Sequence, residues 1–210
     1  MSQALTDAPR RGAPAEETRR RIEDTAERLF CTIGYQKTAV ADIARELGMS
    51  PANVYRFFPS KAAINEAIAQ RMLRGMLAEL EAIASGPGTA TDRLRRFFSA
   101  LFELKVQFFF DERRLHDMVT AAIEESWGVV EVYIAGVRAA ATRIIADGMA
   151  SGEFAKGDAA KLADTASHTM VAWNHPTLLA MCLTRKGQTV EELRAQVTDM
   201  TDFVLRALRP

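Results

Sequence analysis

The chain has 210 residues, 48% hydrophobic and 26% charged, as ordinary globular proteins are. Its 27 basic residues balance 27 acidic ones, with 10 against 8 in residues 1–61 and 17 against 19 in 62–210, so no strong field marks a polyanionic partner. No apolar run approaches the ~18–20 residues of a membrane span, and no apolar core follows Arg10 and Arg11 to make a signal peptide. The only cysteines, Cys31 and Cys182, lack metal-ligand spacing. A cytoplasmic location without a membrane partner is expected.

Residues 1–15 are rich in Ala, Pro and Gly and lack periodicity, which predicts a disordered arm. Helical periodicity follows nearly everywhere, and strand signals are absent. A first helix is predicted over 16–32, with Ile22, Ala26, Leu29 and Ile33 on one face and Gly34 ending it. Thr38 is positioned to cap a short helix over 40–47, which Gly48 ends. Ser50 caps the next, with Pro51 at its first position, and Phe57-Phe58-Pro59 closes it. Ser60 opens a helix to about Ala84 that connects to the rest of the chain. The stretch SGPGT (85–89) is a boundary. Beyond it, helices are predicted over 90–110, 112–124, 126–150, 158–181 and 189–208. The expected organisation is an N-terminal three-helix domain over 16–61, a connecting helix over 62–84 and a helical domain over 85–210, all-α throughout.

The segment from Val40 to Phe57 has the pattern of a helix-turn-helix. Ala44 is small enough for two helices to cross closely, and Gly48 is free to adopt positive φ in the turn. Ile43, Leu47, Met49, Val54 and Phe57 lock the pair, leaving Ala52, Asn53, Tyr55 and Arg56 outward. Such a face fits a major groove. Asn53 suits an adenine edge, and Arg56 a guanine edge or a phosphate. Tyr55, Lys37, Thr38, Ser50 and the helix start at Lys61 suit phosphates, which position without specifying. The alternative is a three-helix core with a solvated face.

The run TRRRIEDTAERLFCTIGYQKTAVADIARELGMSPANVYRFFPSKAAINEAI resembles the DNA-binding domain of TetR/AcrR-type bacterial regulators. It shares their LF…GY ending of helix one, their T…IA…LG segment, an S-P-x-x-V-Y-x-F-F core and the closing P-S-K. Phe57 is a mild departure, since many members carry His or Tyr there. The resemblance implies a homodimeric repressor, bound to double-stranded operator DNA and released by a small-molecule inducer. It also implies that the later helices hold the inducer and that the last two form the dimer.

For the later helices, residues alone say less. RRFFSALFELKVQFFF (95–110) is Phe-rich, so Phe98, Phe102, Phe109 and Met118 are candidates to line an apolar pocket, although such stripes more often form core. Pro176 removes a backbone bond and should kink its helix, making Trp173, Asn174 and His175 candidate polar groups of that pocket. Val190, Leu193, Val197, Met200 and Val204 form one stripe on the last helix, a candidate dimer interface whose alternative is intrachain packing. His116, His168 and His175 have ligating chemistry, but nothing in the sequence joins His116 to the other two, so neither metal nor cofactor is expected. No P-loop, G-x-S-x-G or di-iron pattern is present, and an enzyme is not expected. A competing function is a DNA-binding dimer whose helical body mediates protein assembly and binds no inducer.

Overall fold

The computed structural model describes residues 13–111 and 128–210. The predicted helix over 112–124, with His116 and Met118, lies outside these residues, as does nearly all of the expected arm. All regular structure among the described residues is helical. A first compact unit ends at Ile68 and a second begins at Ala69.

The first unit holds α1 (Ala13–Ile33), α2 (Val40–Glu46), α3 (Pro51–Tyr55) and the opening turns of α4 (Lys61–Ser85). Ile22, Ala26 and Phe30 of α1 are fully buried, as are Ile43 and Ala44 of α2 and Val54 of α3. The Phe30 ring meets Tyr35 edge-on at 5.1 Å. Gly34 (φ 103°) and Gly48 (φ 67°) turn the chain where L side chains would be strained. In the second turn the Met49 amide donates to Ala44 O at 2.9 Å, so the missing bulk at Ala44 and the left-handed Gly48 act together.

One local expectation is corrected. Thr38 does not cap α2. Its side chain is buried, and its hydroxyl donates to Gly34 O at 2.8 Å. Asp42 satisfies the α2 entry instead, accepting the Ala39 amide at 2.9 Å.

The second unit is a bundle around α5 (Ala90–Asp111), with α6 (Gly128–Ser151), α7 (Ala159–Thr169), α8 (Val171–Asn174), α9 (Pro176–Thr184) and α10 (Val190–Leu208). The Phe-rich stretch explains why α5 is central. Leu94, Phe97, Phe98, Leu101 and Phe102 all lie at 4% exposure or less, a stripe wide enough to meet α6 on one side and α10 on the other. Each such side chain contributes about 1.5–3 kcal/mol on leaving water. Glu153 holds the N-terminus of α5, accepting the Ala90 and Thr91 amides at 2.9 and 3.0 Å. Thr189 and Glu192 form a reciprocal capping box on α10, at 3.1 and 2.8 Å.

The predicted helix over 158–181 is three helices. It breaks at Met170, and again at His175, which is extended (φ −85°, ψ 122°). Proline disfavours helical geometry in the residue before it, and Pro176 then starts α9 at the position where its missing N–H costs nothing.

Candidate functional site

The candidate reading face lies on α3 (Pro51–Tyr55). The Ser50 hydroxyl accepts the Asn53 amide at 3.2 Å, setting where the helix starts. Pro51, Ala52, Tyr55 and Arg56 are exposed, while Val54, one position from Tyr55, has no exposure. Tyr55 is 51% exposed, a large apolar ring kept in solvent. Asn53 is half-buried, with its amide 3.9 Å from Met49 Sδ. Arg56 makes no ion pair among the described residues. Of the two adjacent phenylalanines, Phe58 is buried beneath the Arg19 guanidinium, 4.3 Å from its ring. Phe57 is half-buried, and its carbonyl accepts from the same arginine at 2.7 Å.

Lys37, Thr38, Tyr55, Pro59 and Lys61 border one shallow groove beside α3, which brings together most of the expected phosphate contacts. Their chemistry differs. Lys37 is exposed. Thr38 turns its hydroxyl inward. Lys61 is a clamp: its ammonium donates to Tyr35 O at 2.7 Å and Thr38 O at 3.0 Å, and lies 4.4 Å from the Tyr35 ring centre. Desolvation at this position holds its pKa below the usual lysine value.

The second unit contains a cavity of about 310 Å³. Its apolar wall includes Leu73, Leu101, Val130, Ile134, Val137 and Pro176. Asn174 and His175 line it, as expected from the Pro176 break, and so does His168. Trp173 does not; it is buried, and its indole N–H donates to Gln196 Oε1 at 3.2 Å. Phe98 and Phe102 are core residues off this wall. The Phe109 side chain lies outside the described residues, as do Met118 and His116. No cluster of three or more metal-ligating side chains occurs among the described residues.

Among the cavity residues that sequence reasoning missed are Lys105 of α5 and Tyr133 of α6. The Lys105 ammonium sits 4.4 Å from the Tyr133 ring centre. Burial lowers its pKa from 10.5 to about 8. Tyr133 is buried, its hydroxyl has no hydrogen-bond partner among the described residues, and desolvation raises its pKa well above the usual phenol value. A signal existed: Lys105 is the one cation between Phe97 and Phe110 of that Phe-rich stretch.

The stripe Val190, Leu193, Val197, Met200 and Val204 also needs correction. Leu193, Val197 and Val204 are buried inside the chain's own core, with Val190 and Met200 packed against it. The stripe faces α5, and Arg194–Glu103 (2.6 Å) and Arg95–Asp202 (2.7 Å) bridge the same two helices. The exposed apolar residue of α10 is Phe203, at 58%.

A helix-turn-helix with an open reading face, followed by a helical bundle, defines a DNA-binding transcriptional regulator. Residues 22–68 match the model of bacterial regulatory proteins of the tetR family, and residues 90–194 match the tetracyclin repressor-like C-terminal domain. The chain belongs to the TetR family. Solved structures agree in fold. A transcriptional regulator of the TetR/AcrR family from Thermobifida fusca is 22% identical, with a TM-score of 0.63 over 92% of this chain and 100% of that one. A protein from Saccharomonospora viridis in complex with choline is 25% identical, TM-score 0.68, over 89% and 96% of the two chains. The regulator FadR from Bacillus subtilis, in complex with stearoyl-CoA, is 17% identical, TM-score 0.64, over 90% and 99%. The comparison with curated proteins returned no match.

Proposed function

We propose that the protein is a homodimeric repressor that leaves a palindromic operator when a small molecule fills the cavity of the second unit. The carrying observation is that one chain combines the open α3 face with an apolar cavity of about 310 Å³, the lower end of the usual ligand-pocket range. Complexes of proteins of related fold with choline and with stearoyl-CoA support a small-molecule ligand. Two copies of α3 read half-sites about one helical turn, ~34 Å, apart. Asn53 and Arg56 read base edges, while Tyr55, Lys37 and the Ser50 end of α3 hold phosphates.

The cavity and the reading unit share one helix. Leu73 lines the cavity from α4, and Lys61 begins the same helix. A ligand releases DNA only as far as it prefers the conformation that binds DNA poorly. The dimer forms through the outer face of α10, where Phe203 stands in solvent. A cytoplasmic location fits, since no described helix is long and apolar enough to cross a membrane.

The test begins by selecting a duplex from a random pool with the full-length protein, then following its release by fluorescence anisotropy. A two-fold-symmetric sequence, and release by a cavity-sized apolar compound, are expected. Selection without symmetry, or a bound duplex that no compound of any charge class displaces, would overturn the reading in favour of an assembly role.

A further inference from the structure

We propose that the cavity takes a carboxylate amphiphile, with the anionic headgroup at Lys105 and Tyr133 and the apolar body against Leu101, Ile134 and Val137. This inference rests on the reading of the cavity as a ligand site and names the ligand's chemical class.

Three observations carry it. The cavity wall is mainly apolar, so its occupant is mainly apolar too. On that wall an ammonium with no carboxylate within ion-pair distance lies over the Tyr133 ring, whose buried hydroxyl has no hydrogen-bond partner, both among the described residues. A desolvated cation held only against an aromatic face and a buried donor without a partner both cost stability, and one anionic oxygen pair answers both. Thirdly, the acid on the wall is already engaged: Asp164 pairs with Arg138 at 3.2 Å and His168 at 3.5 Å. The charge left over is therefore that of Lys105. Desolvation, which pulls the Lys105 pKa to about 8, leaves most molecules protonated at neutral pH and ready for an anion. A quaternary ammonium would meet this charge with its own sign. At 310 Å³ the space equals about ten waters, enough for a short acyl chain or a fused aromatic ring.

The experiment is isothermal titration of the full-length protein with hexanoate, decanoate, palmitate and 2-naphthoate, each beside its matched alcohol, and with decyltrimethylammonium. At least one acid should bind about 10- to 100-fold tighter than its alcohol, the usual worth of a hydrogen bond to a charged group. Whether decanoate or naphthoate wins separates acyl from aromatic acids. Lys105→Met should raise Tm, because it removes an uncompensated buried charge, while bringing acid and alcohol to within about twofold. Lys105→Gln should lose the same preference while keeping a polar side chain. Tyr133→Phe should weaken the best acid several-fold. No acid outbinding its alcohol, a preference that survives Lys105→Met, or tightest binding of the ammonium compound would each overturn the proposal. Operator release is read separately. An acid that binds through Lys105 but leaves DNA bound upholds the ligand class and sinks the inducer reading. Release by a neutral compound, indifferent to Lys105, does the reverse.

Discussion

Of the basic side chains that border the α3 face, Arg56 and Lys61 do different work. Arg56 is exposed and without an ion pair among the described residues, so Arg56→Ala should leave folding intact. It should also weaken operator binding and relax its sequence preference by ~1–3 kcal/mol, read by gel shift over operator variants. Lys61 spends its ammonium on two carbonyls of the α1–α2 connection. Lys61→Ala should therefore cost about 1–2 kcal/mol in urea unfolding, with any loss of DNA affinity following from that. A lysine closing P-S-K reads equally as phosphate contact or clamp, because sequence does not show which acceptor is nearer. Lys105 yields a pH signature. The folded chain releases this proton near pH 8 and the unfolded chain near 10.5, so between them the unfolded state binds more protons and stability rises with pH. The cost of burying the ammonium is present in full below about 8 and gone above 10.5. Tyr133, Arg138, Asp164, His168 and His175 share the cavity and stay in place in Lys105→Met, which should flatten that rise in denaturation measured across the window.

At the scale of elements, the helix ends were the most legible features. Ser50-Pro51 announces a helix start through the chemistry of the cap and works that way here, whereas Thr38, read in the same way, turns its hydroxyl to Gly34 O. Two things were not legible. Periodicity carries which side of a helix is apolar but not whether its backbone is continuous, so three helices between 159 and 184 read as one. Nor does an apolar stripe say whether its cover is the same chain or a second copy, which is why the α10 stripe read as an interface and proves to face α5. The α5 N-terminus offers a test. Partial burial acts to raise the Glu153 pKa, but the Thr91 and Ala90 amides and the Thr91 and Ser151 hydroxyls outweigh it and hold it below the usual 4.5. Its stabilising contribution is thus present above that pH and lost as pH falls through the lowered value. Glu153→Gln should reduce stability at neutral pH and flatten the acid limb of a stability–pH curve. Packing between elements gives another test. A Cβ at Gly148 would collide with the Phe154 ring and stand 2.9 Å from Ala90 Cβ, so Gly148→Ala should lower urea stability by ~1–3 kcal/mol.

At the scale of the molecule, the two units differ in how far sequence could reach. The first is built from neighbours: α1 to α3 lie within 43 residues, from Ala13 to Tyr55, so local caps and spacing nearly specify it. The cavity gathers residues from Leu73 to Pro176, and no local pattern joins Lys105 to Tyr133. The helix expected over 62–84 is α4 (Lys61–Ser85), and the boundary between the two units falls within it, after Ile68. Assembly is tested through Phe203. Phe203→Asp should give a monomer by sedimentation with helix content unchanged, and DNA affinity should fall steeply, since one short recognition helix holds a duplex weakly.

The interruption at His175 has a consequence for descent. Its backbone is extended, yet it serves both neighbours: its N–H donates to Val171 O at 2.9 Å, closing α8, and its carbonyl accepts the Leu179 amide at 3.0 Å, opening α9. Because both bonds are made by backbone atoms, an exchanged side chain there would reshape one wall of the cavity without breaking a helix or touching the α3 face. Lineages carrying this chain could thus acquire a taste for new compounds while continuing to address the same stretch of genome.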